Sequence, residues 1–425
     1  MNRYREIYVK IRSGLDRFFK TDSDYLIRSG AWGIFSDAAV AILLFGLSLL
    51  YARILSKDAY GSYRYVMSIL SIGGFLLLPG IHTSFKRLAA RGYEGSYRKD
   101  IKYRLLASFL LGLFGIGAGI YFILFRNDLV IGIGVIIAGI LIPLERGTGS
   151  YIDWFAIKQK FRRKAFSSII EHIFFFAVMA LSLLYIREST PSVVEIMVIL
   201  VSAFYLGHGI PKTTYLLRIL KEIPEIENKE KEKEAFRYGL HLSAGSIIPT
   251  IANNVDKVLI YAYLGPVSLA IYSFATVLPD QIRGFITSFD SAVVTKIFAK
   301  KSSDLDKLPT KLLRASLAVF LIVILYIIAA PFIYKTFFPR YIDSVVFSQI
   351  YSVGLIFLSF IYLNSAMVAK GHIKRVYAHR GSVSLLQIVL LAILVPALGI
   401  MGAVLSRVVI RFIESIILYS LFKIK

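Results

Sequence analysis

Apolar residues along this chain fall into long runs, separated by short clusters of charged and turn-forming residues. A helix rises 1.5 Å per residue, so about 20 apolar residues cover the hydrocarbon core of a bilayer. Twelve runs approach that length. The first six span residues 32–51, 65–85, 105–125, 129–144, 166–186 and 193–217. The second six span 239–264, 267–294, 312–334, 343–369, 382–397 and 399–422. The fourth and eleventh are short, and only Pro396 and Gly399 part the eleventh from the twelfth. Residues 1–28 are charged and amphipathic, without a cleavable apolar core. They are expected to lie along the cytoplasmic membrane surface. The pattern predicts an all-α polytopic membrane protein of about twelve transmembrane helices.

The markedly polar stretch between runs is residues 221–237, where acidic and basic residues alternate as on a solvated helix or loop. It divides residues 29–220 from residues 238–425, six predicted spans on each side. An even number per half gives both halves the same orientation, so the expected arrangement is two parallel six-helix bundles around a central cavity. A weak internal repeat supports the division. Leu55, Tyr60, Gly61 and Tyr63 follow the first span and open the second. Leu264, Gly265, Pro266, Ile271 and Tyr272 stand at the matching place between the seventh and eighth, 209 residues on.

Composition agrees with a membrane protein. The 425 residues are 56% hydrophobic and 18% charged, with mean hydropathy +0.66. Such values exclude a soluble globular enzyme, a disordered chain and a disulfide scaffold. The absence of cysteine excludes thiolate metal sites and cysteine nucleophiles. Fifty Lys and Arg against 27 Asp and Glu leave a net charge of +23, which by itself could suggest a nucleic-acid partner. Position answers that. With the N-terminus inside, 38 of the basic residues fall in predicted cytoplasmic segments and 7 in the opposite loops. This bias predicts both termini in the cytoplasm and accounts for the charge without nucleic acid. No phosphate-binding loop of the GxxxxGK[ST] type occurs, so ATP hydrolysis is not expected. The small-residue spacings in 112–119 and 132–139 read as close helix packing.

Five basic residues remain inside the spans: Lys212, Lys257, Arg283, Arg407 and Arg411. An ionisable group in the hydrocarbon costs about 2.5–3.5 kcal/mol on insertion scales, so it tends to face a cavity or a partner. Arg407, Arg411 and Glu414 share a helix face, as do Asp280, Arg283, Thr287 and Asp290. One reading is a wet cationic cavity in which arginine forks hold phosphate oxygens bidentately, with Lys257 and Lys212 as further cations. The other is helix-locking ion pairs, Arg283 with Asp280 and Arg407 or Arg411 with Glu414. Asp256 with Asn253 and Asn254 offers hard oxygen ligands for sodium, or a carboxylate for a proton; an Asp256–Lys257 pair is the alternative. Glu171 and His172 are adjacent on a helix, point about 100° apart and cannot chelate one ion, so a polar contact at the cytoplasmic end is expected. His82, His241, His372 and His379 read as interfacial.

The segments Asn254-Val255-Asp256-Lys257, Leu264-Gly265-Pro266 and Ile271-Tyr272-Ser273, with Leu55, Tyr60, Gly61 and Tyr63 in the first half, carry a family likeness. The chain resembles oligosaccharide flippases of the multidrug/oligosaccharidyl-lipid/polysaccharide exporter superfamily. Ala270 departs from the glycine usual there, which implies looser packing. The resemblance implies a cavity that opens alternately to either side of the cytoplasmic membrane and a polyprenyl-diphosphate-linked oligosaccharide as cargo. Membrane lipids, a glycan polymerase or glycosyltransferases are the implied partners. It implies a transporter without enzymatic activity or cofactor, apart from sodium or a proton as coupling ion. Asp37 resembles the acidic position that drug exporters of the superfamily use for coupling. A cation-coupled exporter of drugs or other amphiphiles is the first alternative, and it would want an acidic lumen. A membrane glycan polymerase, ligase or glycosyltransferase is the second, and the short outer loops count against it.

Overall fold

Helices account for the regular structure in a computed structural model that describes residues 23–225, 228–287, 308–370 and 373–423. In the first half these are α1 (Ser23–Ile54), α2 (Lys57–Ile72), α3 (Pro79–Ala90), α4 (Tyr97–Arg126), α5 (Leu129–Arg146), α6 (Tyr151–Ile157), α7 (Phe161–Ser189) and α8 (Val193–Leu220). The second half holds α9 (Lys229–Ala244), α10 (Ile247–Ala252), α11 (Val255–Thr287), α12 (Leu308–Phe337), α13 (Ser344–Val353), α14 (Tyr362–Ala369), α15 (Ile373–Leu398) and α16 (Ile400–Lys423). The N-terminal amphipathic segment expected over residues 1–28 falls almost wholly outside the described residues, as do Asp290 and His372.

Among the described residues nine helices are long and apolar enough to cross a membrane, or ten with the bent pair α2–α3 taken as one span. The reading of twelve runs differs at identifiable places. α16 carries Arg407, Arg411 and Glu414 along its apolar length. α11 joins the end of the seventh run to the eighth, interrupted at Gly265 by φ +78°. That left-handed conformation is cheap for glycine alone, and Pro266 behind it has no N–H to donate back into the preceding turn. The pair α2–α3 bends by 52° at Leu78, itself left-handed, and Pro79 begins the second helix.

Close packing follows the small residues. Gly112, Gly115 and Gly119 of α4 lie against Gly132 and Gly139 of α5, so tightly that a methyl group on Gly112 would stand 2.6 Å from the Gly139 carbonyl. Such contacts replace the hydrophobic driving force that lipid cannot supply between helices. Ala270, where the family resemblance expects glycine, is fully buried in the main apolar core.

The two halves touch at both ends. At the end predicted to be extracytoplasmic, the two copies of the repeated hairpin meet each other: a methyl on Gly61 would stand 1.9 Å from the Pro266 carbonyl oxygen. Tyr65 and Tyr261 stack at 3.8 Å between centroids. Lys57 pairs with Asp343 at 3.0 Å, and Arg340 donates to the Arg53 carbonyl at 3.1 Å. At the other end α3 crosses α9 through Gly80 and Gly239, and the Gly80 N–H donates to buried Ser243 Oγ at 3.0 Å. Cysteines replacing Lys57 and Asp343 in this cysteine-free chain, bridged by a reducible bifunctional thiol reagent that spans the reach of the Lys57–Asp343 pair, should block transport. Reduction should restore it. Full activity of the cross-linked form would show that this zone does not have to part during transport.

Candidate functional site

The chain between α9 and α11 cannot form one continuous helix. It turns at Gly245–Ser246, makes the short α10 containing Pro249, and turns again at Asn253–Asn254. Each break leaves backbone carbonyls without a helical donor, and irregular backbone at membrane depth persists only where it lines a cavity or is buried in protein. Here side chains from later helices supply the donors. Gln387 of α15 gives its amide to the Ala252 carbonyl at 2.6 Å, and Arg407 of α16 gives Nη2 to the Asn253 carbonyl at 2.7 Å.

These breaks border a cavity of about 520 Å³ lined by α3, the end of α9, α10, α11, residues 358–364, α15 and α16. Arg283, Arg407 and Arg411 all line it, joined by Arg87 and Arg380, with Glu414 as the acidic member of its wall. The three arginines read from the sequence therefore share one space. Arg87 and Arg380 were missed because both fall in stretches counted as cytoplasmic loop, where basic residues are expected for topological reasons.

Each guanidinium is held differently. Arg407 directs Nη2 and Nε onto one oxygen of Asp256, at 2.7 and 3.1 Å, and Tyr272 donates to the same oxygen at 2.6 Å. Asp256 is buried, with 2% of its surface exposed. The place expected for a coupling cation beside Asp256 and Asn253 is thus taken by the Arg407 guanidinium. Asn254 turns away and donates its amide to the Thr250 carbonyl. Arg411 lies 4.8 Å above the Tyr351 ring and donates Nη2 to the Tyr351 hydroxyl at 3.1 Å. That hydroxyl donates onward to Asp280 at 3.1 Å. Gly354 makes room for it, since a methyl there would sit 3.0 Å from Nη1, and that nitrogen is buried without a partner. Among the described residues Arg283 has no ion pair or hydrogen bond, and its side chain is exposed to the cavity.

The ion pairs expected within single helices do not form. Asp280 reaches Arg411 through Tyr351 instead of meeting Arg283, and Glu414 approaches His379 at 3.7 Å instead of an arginine. His379, read as interfacial, is buried. Helix spacing gives which residues share a face, but the neighbouring helix decides which partner is nearer.

A second cavity of about 600 Å³ lies between α1, α2 and α11, with a largely aliphatic and aromatic wall. Asp37 lines it, with Asp280, Thr287 and Arg64. The stripe Asp280–Arg283–Thr287 is therefore divided between two cavities. Arg64 was counted among the loop residues, yet it stands inside α2 with Nε buried and unpartnered. Lys257 is half-buried and lines neither cavity.

Lys212 is also elsewhere. It reaches Glu145 at 2.5 Å and Glu171 at 3.6 Å, within a network of α5, α6, α7 and α8. Glu171 accepts from His208 at 2.8 Å and from Tyr151. Instead of a terminal polar contact, Glu171 is a buried hub, while His172 turns to the Ser168 carbonyl. Removing one member of a buried charged network costs about 3–5 kcal/mol because the remaining charge is left uncompensated. Lys212→Met should therefore lower the thermal midpoint markedly, and Glu145→Gln added to it should recover much of the loss. An unchanged midpoint in the single variant would contradict this assignment.

The described residues form helices that pack around a polar cavity. Residues 26–298 match the family of polysaccharide biosynthesis proteins, and the chain belongs to that family. Its fold is that of solved transporters of the multidrug/oligosaccharidyl-lipid/polysaccharide superfamily. It is similar to the lipid II flippase MurJ in an inward closed conformation, at 16% identity and TM-score 0.64, over 94% of this chain and 87% of that one. It is equally similar to a eukaryotic MATE transporter, AtDTX14, at 14% identity and TM-score 0.65, over 96% of each chain. A superfamily transporter from Pyrococcus furiosus matches at 13% identity and TM-score 0.62, over 94% of each chain. No curated protein matches the sequence.

Proposed function

We propose that the chain is a flippase for a polyprenyl-diphosphate-linked oligosaccharide, moving it across the cytoplasmic membrane by alternating access. Membership of the polysaccharide biosynthesis family supports this, as does a fold like that of a lipid II flippase. The single observation that carries the reading is the charge of the central cavity, where five arginines face one glutamate. A diphosphate resists crossing because hydrocarbon cannot solvate its charge. Fixed guanidinium groups in a hydrated cleft offset that cost, and their forks match phosphate oxygens. The lipid tail stays in the bilayer throughout. Both termini face the cytoplasm, as the 38-to-7 bias of basic residues supports. Asp37, on the wall of the second cavity, is the carboxylate we assign to sodium or proton coupling. Glycosyltransferases supplying the cargo, or a polymerase consuming it, are the expected neighbours.

The second cavity favours one other reading. Its apolar wall with Asp37 and Asp280 suits a cationic amphiphile, as an exporter would bind. Reconstituted vesicles separate the two: a fluorescent polyprenyl-diphosphate oligosaccharide should become accessible to an external lectin only where the protein is present. Transport of a lipophilic cation, with none of the glycolipid, would support the exporter instead.

A further inference from the structure

A third cavity, of about 530 Å³, lies where α3 crosses α9, and its wall includes Arg87, Arg91, Lys231, Glu234, Tyr93 and Tyr238. Arg87 also lines the central cavity, so one guanidinium borders both spaces. The geometry of α3 explains the sharing. Pro79, Gly80 and Thr83 face the central cavity, Ser84, Leu88 and Arg91 face the third, and Arg87 stands at the boundary. Arg87 and Arg91 are one turn apart, which puts their Cβ atoms about 5–6 Å from each other. Neither guanidinium has an ion pair or hydrogen bond among the described residues, and both residues are exposed. Lys231 is paired with Glu234 at 3.3 Å, an exposed contact that a stronger anion displaces at little cost. Tyr93 and Tyr238, at 38% and 42% exposed, set amphipathic rings at the rim.

Three cations against one carboxylate, two of them unengaged guanidiniums at the C-terminal end of α3, form a site for a phosphate group. We propose that this cavity is a second, outlying phosphate-binding site, from which Arg87 hands the bound group to the central cavity. Binding of phosphate here does not depend on the flippase reading; the handing-on does. The ligand is a phosphate-bearing lipid headgroup, either the diphosphate of the cargo or that of an anionic phospholipid.

Calorimetry with inorganic pyrophosphate on the full chain in neutral detergent tests the site. The wild type should show two binding events. Arg91→Gln with Lys231→Gln should weaken one of them by about tenfold or more, the usual range for lost charge-assisted hydrogen bonds, and leave the other. Arg283→Gln with Arg411→Gln should do the reverse. Lys233→Gln, an exposed change on α9 outside the cavity wall, should alter neither and serves as the control for diffuse charge. Persistence of the outlying event without any central event would remove the support for the flippase reading while keeping this site. A single event indifferent to Arg91→Gln with Lys231→Gln, or an equal loss in Lys233→Gln, overturns the proposal. Repeating the titration in nanodiscs distinguishes the ligand's source. Competition by anionic phospholipid that disappears with Arg91→Gln assigns the site to bulk lipid, and indifference to that lipid assigns it to the cargo.

Discussion

Replacing Arg411 with Gln is expected to cut translocation of a diphosphate-linked glycolipid by about tenfold to a hundredfold, with folding and membrane insertion preserved. Arg411 makes no ion pair with a carboxylate among the described residues. It rests on the Tyr351 ring and hydroxyl, and its Nη1 is buried without a partner beside Gly354. Its removal therefore leaves no carboxylate stranded, apart from Asp280, which keeps its hydrogen bond from Tyr351. What is lost is a charge-assisted contact to cargo, worth about 1.5–3 kcal/mol. Lys at this position should restore part of the rate, through charge without the planar fork. Initial rates in vesicles at matched protein density measure both effects. Normal transport by Arg411→Gln would remove this residue from the binding surface.

Asp256 should behave in the opposite way, as a residue of stability first. Asp256→Ala leaves Arg407 with 13% of its side chain exposed and no counter-charge, and leaves Tyr272 without its acceptor. The expected loss is about 3–5 kcal/mol, the cost of breaking a buried pair by removing one partner. Arg407→Gln should cost a similar amount. Asp256→Asn combined with Arg407→Gln should recover most of the stability, because no unpaired charge remains. The recovered double variant should still transport poorly, since one cavity arginine is gone. Thermal midpoints of Asp256→Asn, Arg407→Gln and their combination form a cycle that isolates the pair. Additive losses would contradict a direct Asp256–Arg407 interaction.

Much of the helical plan was legible because a membrane span is written in length and apolarity. The runs at 105–125 and 312–334 carry almost no charge and became α4 and α12. The breaks were harder to read. Nothing in the hydropathy of residues 239–264 separates α9, α10 and α11, whose turns arise at Gly245, Asn253 and Asn254, where Gln387 and Arg407 take up the freed carbonyls. Gly265 was visible as part of a motif, but its left-handed backbone follows from the fold. The central arginines were legible because charge inside an apolar run needs an explanation. Arg87 and Arg380 were not, since charge in a predicted loop needs none. Lys212 had the same signature as the arginines and a different fate: Glu145 and Glu171, from two other helices, reach it first. Spacing along one helix cannot reveal a partner on another.

The central claim is that the cavity's arginines select cargo by its diphosphate. The direct measurement is a comparison of two glycolipids in vesicles containing the purified protein, one oligosaccharide carried on polyprenyl diphosphate and the same oligosaccharide on an uncharged polyprenyl glycoside. The diphosphate form should cross at least tenfold faster, and Arg283→Gln with Arg411→Gln should erase most of that preference. Equal rates for the two lipids in the wild type would contradict the claim.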